Sequence, residues 1–73
     1  MNIIELLTLN ALKTCVLVLE SDPPCRVRII KEGDNYRFFV APLVDLDLEK
    51  EISQEEFLAK YGQCEIIDYL PNI

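Results

Sequence analysis

Three groups of side chains in this chain have the chemistry to do more than fold: the cysteines, a run of carboxylates and the arginines. The cysteines are Cys15, Cys25 and Cys64, an odd number with no C-x-x-C spacing, in a chain without histidine. A catalytic thiolate needs a cation or a helix N-terminus beside it, and Cys25, between Pro24 and Arg26, is the best placed of the three. Its place in a strand-like run points instead to an inward-facing residue. Three scattered thiols do not complete a four-ligand zinc site, and an odd set is no disulfide framework. All three are read as reduced, mostly buried small hydrophobes. Without histidine, a histidine base or a triad is excluded. With Gly33 and Gly62 as its two glycines, the chain has no glycine-rich phosphate loop. It is therefore expected not to be an enzyme, with no catalytic residue, cofactor or metal.

The carboxylates nearly spell a calcium loop. Asp45, Asp47 and Glu56 match the first, third and twelfth positions of the D-x-[DN]-x-[DN]-G-x₅-E pattern, and Ile52 its apolar position. Glu49 stands at the fifth position, and Lys50 replaces the glycine on which the sharp turn depends. The preceding "RFFVAPLV" reads as strand rather than as an entering helix. A weak calcium-binding module is thus a minor alternative. The larger expectation is an acidic edge segment that discourages edge-to-edge pairing.

The arginines are the most specific feature. Arg26, Arg28 and Arg37, every arginine of the chain, fall in the stretch "RVRIIKEGDNYRFF", although the net charge is −6. "CRVRIIK" and "YRFFVA" read as two strands, and "EGDN" as the turn between them. That turn sets Lys31 opposite Tyr36, Ile29 opposite Phe38 and Val27 opposite Val40. Side chains alternate across a strand, so Arg26, Arg28 and Arg37 share one face with Ile30, Phe39 and Ala41. Arg28 then lies opposite Phe39, within reach of its ring. These residues are the leading candidate contact face for an acidic protein partner, because arginine and aromatics concentrate binding energy and guanidinium groups pair with carboxylates through two-point forks. The rival contact surface is the acidic segment Asp45, Asp47, Glu49 and Glu51. A third reading leaves the arginines as a solvated face paired with Glu65, Asp68 or the second helix.

The elements that position these groups can be read from caps and periodicity. Asn2 and Glu5 have capping-box spacing, predicting a helix from Ile3 to about Leu12. Its apolar residues lie all round, so it is expected to be enclosed or shared with a second copy in a homodimer. "TCVLVLE" predicts a strand covered on both faces, ended by "SDPP". "APLVDLDLEKEIS" is a connector in which Val44, Leu46 and Leu48 alternate with acids, as an edge strand or an extended loop. Ser53 and Glu56 form a second capping box, "QEEFLAKY" fills the helix, and Gly62 suits its C-terminal end. "CEIIDYL" reads as a last strand.

At 73 residues the chain has room for a single compact domain, 1–73. The elements predict an α+β fold: a small three- to four-stranded, mostly antiparallel sheet with two helices. Its expected core is Leu7, Ala11, Val16, Val18, Val27, Ile29, Phe38, Val40, Phe57, Leu58 and Ile66. The apolar N-terminal stretch is broken by Glu5, Asn10 and Lys13, which argues against a signal peptide or a membrane span. A cytoplasmic protein with no membrane partner is expected. Residues 25–41 carry a net charge of +2 and residues 44–73 a net charge of −6, predicting a dipolar molecule. An acidic chain is a poor direct ligand for nucleic acid. In size, charge and element order the chain resembles the small acidic inhibitors and nucleic-acid mimics that phages encode, which implies inhibition by charge mimicry. The leading expectation is a small acidic, non-enzymatic protein-interaction or regulatory module.

Overall fold

The computed structural model describes residues 2–9 and 12–71. Their order is helix α1 (Ile3–Thr8), strands β1 (Cys15–Leu19), β2 (Cys25–Glu32) and β3 (Asn35–Pro42), a 3₁₀ turn (Leu46–Leu48), strand β4 (Lys50–Ile52), helix α2 (Gln54–Tyr61) and strand β5 (Ile66–Pro71). These strands form one five-stranded sheet in the order β4-β3-β2-β1-β5, with every neighbouring pair antiparallel. The fold is α+β with two helices, as its elements predict, and with five strands rather than three to four. The additional strand is β4, three residues of the connector that lie beside Phe38–Val40. Nothing in so short a run distinguishes it from loop until a neighbour is present to pair with it.

Local chemistry sets both helix starts. Asn2 accepts the Glu5 N–H at 3.0 Å, and Ser53 accepts the Glu56 N–H at 3.1 Å, each side chain satisfying a donor that the first turn leaves open. Helix α2 fills "QEEFLAKY" as expected, whereas α1 ends at Thr8, short of Leu12. Gly62 closes α2 in right-handed geometry, φ −60°. Its missing Cβ serves packing: an added one would lie 3.1 Å from Ile4 of α1 and 2.6 Å from the Leu58 carbonyl.

The central hairpin has the predicted register, with Lys31 opposite Tyr36, Ile29 opposite Phe38 and Val27 opposite Val40. Its loop is tighter than "EGDN", because Glu32 and Asn35 also pair. Gly33 takes φ +63° at the first loop position, the backbone that mirror-image hairpin turns require there.

Both helices cover one face of the sheet. Cys15, Leu17, Leu19, Val27, Ile29 and Phe38 are buried there with Ile3, Leu12 and Phe57. The rings of Phe38 and Phe57 stack with centroids 4.4 Å apart. Of the expected core, Val27, Ile29, Phe38, Val40 and Phe57 are buried, and Leu7, Leu58 and Ile66 pack against the edge of the cluster; Ala11 lies outside the described residues. Val16 and Val18 are a correction. They sit half-buried on the opposite face, because β1 is covered on one side only and its inward set is Cys15, Leu17 and Leu19. A continuous apolar run does not specify which of its two faces the helices cover.

The sheet ends differently on its two sides. At β4 the edge is three residues long. At β5, Asn2 bridges Glu65, and the Asp68 carboxylate accepts the Tyr69 N–H at 2.9 Å, a donor that faces away from the sheet. No helix among the described residues is long and apolar enough to cross a membrane.

Candidate functional site

The face without helices carries the arginines. Reading across the strands, one row runs Leu70, Val16, Arg28, Phe39, Glu51, and the next runs Asp68, Val18, Arg26, Ala41. Glu49, one residue before β4, extends the second row. Ile30 and Arg37 are paired across the hairpin on the same face. All three arginines therefore point the same way, as alternation on the hairpin requires.

Their partners are not the ones expected. Arg28 holds Glu49 in a two-point fork, Nε to Oε2 at 2.9 Å and Nη2 to Oε1 at 2.6 Å. Arg26 reaches the same carboxylate at 2.9 Å. Arg37 forks onto Glu51 with both contacts at 3.0 Å, and Glu32 lies 3.9 Å away. The expected pairing with Glu65, Asp68 or the second helix is replaced, because β4 returns beside β3 and brings Glu49 and Glu51 over the hairpin. A two-point fork aligns the guanidinium plane with the carboxylate and adds orientation to charge. Phe39 lies between two of the cations, with the Arg28 guanidinium carbon 5.0 Å and that of Arg37 5.2 Å from its ring centroid.

The two surfaces that rank as rival contact sites in the sequence thus meet in one cluster. Arg26, Arg28, Arg37 and Phe39 are assembled, and of the acidic segment Glu49 and Glu51 join them. Asp45 does not: its carboxylate accepts the Asp47 N–H at 3.1 Å and caps the 3₁₀ turn. Asp47 is exposed beside it. The dipole expected from the charge map is cancelled locally, since three glutamates stand against three arginines. Hydrogen bonds from Arg28 and Arg26 hold the Glu49 carboxyl below its ordinary range against the opposing effect of burial. The fork from Arg37 does the same for Glu51. Arg28 and Arg37 are pushed up in turn by their bonds to these carboxylates. The Nε of Arg26 is buried and, among the described residues, is the single such side-chain polar atom without a partner.

The calcium pattern is pulled apart. Asp45 caps a turn, Glu49 is committed to two arginines, and Glu56 lies on α2, 3.4 Å from Lys60. Among the described residues no three His, Cys, Asp or Glu side chains converge on a cation position. The cysteines are free thiols, Cys15 and Cys25 buried and Cys64 half-buried. Burial pushes the Cys15 thiol up to about 11, which leaves it protonated and unreactive at neutral pH.

Sequence reasoning missed the apolar half of this face. Val16, Val18 and Leu70 lie directly across from the arginine cluster. The signal was present in "TCVLVLE", where Val16 and Val18 are as apolar as the residues that flank them. No family model, curated protein or solved structure matches the chain, so its geometry alone carries the functional assignment.

Proposed function

We propose that this chain is a small acidic, non-enzymatic interaction module that docks a protein partner on the open face of its sheet. One observation carries the reading: the helix-free face joins an apolar patch, Leu70, Val16 and Val18, to an aromatic ring flanked by two guanidinium groups. An antiparallel sheet that turns one face to water ordinarily makes that face polar. Here the apolar patch can take a partner's apolar side chains. Each guanidinium has five donors, and Arg28 spends two of them on Glu49. Donors remain for a partner's carbonyl or carboxylate groups. Because the arginines are already neutralised, the face does not need an acidic partner, which departs from what the sequence suggests.

A second reading has its own support. With the three arginines balanced by Glu32, Glu49 and Glu51, the remaining charge is ten carboxylates against four lysines. That excess suits a mimic of nucleic-acid charge acting on a basic protein surface. Capture of partners from a native lysate separates the two. Val18→Lys places a charge in the apolar patch, and Asp47→Asn removes an exposed acid without touching the arginine network. Loss of capture with Val18→Lys and retention with Asp47→Asn, both variants keeping the far-ultraviolet circular dichroism of the parent, is the expected outcome. The reverse ranking favours charge mimicry. Neutralising Glu49 or Glu51 does not discriminate, because it also releases arginines.

A further inference from the structure

A second surface lies at the end of the hairpin away from Gly33, on the helix side of the sheet. Between β3 and β4 the chain makes a compact turn. Asp45 N–H donates to the Pro42 carbonyl at 3.1 Å, Leu48 N–H to Asp45 at 3.2 Å, and Leu43 N–H to the Pro24 carbonyl at 3.0 Å. The backbone is held, and yet it presents apolar side chains to water: Leu43 is 44% exposed, Val44 82%, Leu46 40% and Leu48 61%. An ordered turn gains nothing for the fold by exposing four such residues within six positions.

Beside this knob lies a groove of about 480 Å³ lined by Pro23, Val40, Pro42, Leu48, Lys50 and Tyr61. Pro42 and Leu48 belong to both features, so the knob rises from the wall of the groove. Each feature also has charge outside the ion pairs. Asp47 on the knob and Lys50 in the groove have no ion-pair partner among the described residues; Asp45 beside Asp47, and Lys13 and Lys31 elsewhere on the chain, are likewise outside the ion pairs that hold Arg26, Arg28, Arg37 and Lys60. Lys50 pairs with Val40 across the strands and so shares the face of that core residue, opposite to its neighbours Glu49 and Glu51.

We propose that the knob of one copy of this chain seats in the groove of a second, about a two-fold axis. The match is reciprocal, as an isologous contact requires. Apolar knob meets apolar groove twice, and Asp47 of each copy meets Lys50 of the other twice. A foreign partner could fill the groove, but one surface bearing adjacent knob and groove, with opposite unpaired charges, is complementary to itself. The contact uses neither α1 nor the open face, so it stands independently of the partner docking proposed above. Its failure is also read differently, by oligomeric state rather than by capture.

Sedimentation of the full chain over a range of concentrations tests it. The parent should pass from monomer to dimer as concentration rises. Val44→Asp, at a site exposed enough to leave the fold intact, should weaken the dimer by more than about tenfold, since it places a charge in an apolar seat. Lys50→Glu turns two attractions into two repulsions and should weaken it by about tenfold. Adding Asp47→Lys to Lys50→Glu should restore most of the parental affinity. A parent that remains monomeric at millimolar concentration overturns the proposal. So does a dimer indifferent to Val44→Asp, or a charge swap that fails to restore association.

Discussion

Phe38 and Phe39 are neighbours in sequence and occupy opposite faces of one strand. Phe38 is fully buried, stacked on Phe57 from the helix above it. Phe39 is half-buried, held between two arginines on a face with no helix. The same alternation runs through the whole sheet. On the helix side the contacts are dry and apolar, and each buried side chain contributes about 1.5–3 kcal/mol. On the open side they are forks between charged groups that still touch water, where exposed pairs contribute about 0–1 kcal/mol. Fold stability is therefore concentrated on one face, and the other is left to be shaped by what it contacts. Under the function proposed above, fixing the fold and meeting a partner are tasks given to alternate residues of the same strands.

Substitutions on the two faces should separate these roles. Phe57→Ala empties the stack over Phe38 and should cost about 3–5 kcal/mol, enough to unfold much of so small a domain, as read by chemical denaturation. Glu49→Gln should cost less, about 1–2 kcal/mol, because two arginines lose a shared charge at a partly exposed site. Its pH profile is the sharper readout. The folded pKa of Glu49 is depressed, so its contribution is fully present above the ordinary glutamate value of about 4.3 and disappears as pH falls through the lower folded value. The melting temperatures of parent and Glu49→Gln should differ at pH 7 and converge in acid. Arg37→Gln, whose fork to Glu51 is more exposed, should change stability least of the three. A cost at Arg37 comparable to that at Phe57 would mean that the open face also holds the fold together, and the contrast would fail.

Much of this arrangement was legible in the chain because it is set locally. Asn2 with Glu5 and Ser53 with Glu56 are caps that act within one turn of helix. Gly33 fixes the hairpin, and one correct turn sets the register of eight pairs. What could not be read depends on contacts distant in sequence. The strand Lys50–Ile52 exists because β3 is there to receive it, and its propensity is too weak to announce it. Once it is placed, the alternation of Glu49, Lys50 and Glu51 becomes informative: both glutamates turn to the arginines and the lysine turns away. The position of Val16 and Val18 was hidden for a similar reason, since a strand apolar on both sides says nothing about where the helices lie.

The Asp68 carboxylate on the Tyr69 N–H makes the sheet a finite object. A backbone donor pointing off the last strand invites another strand to add on, and a chain with 51% apolar residues can propagate that addition into fibres. Here an incoming strand must first displace a hydrated anion from the donor it would use. The Asn2 bridge at Glu65 occupies the edge just before it, and Pro71 has no N–H to offer beyond it. At the opposite side β4 is too short to template a neighbour. Both ends thus discourage growth by backbone pairing, which favours association through side chains, where geometry and charge can set its limits.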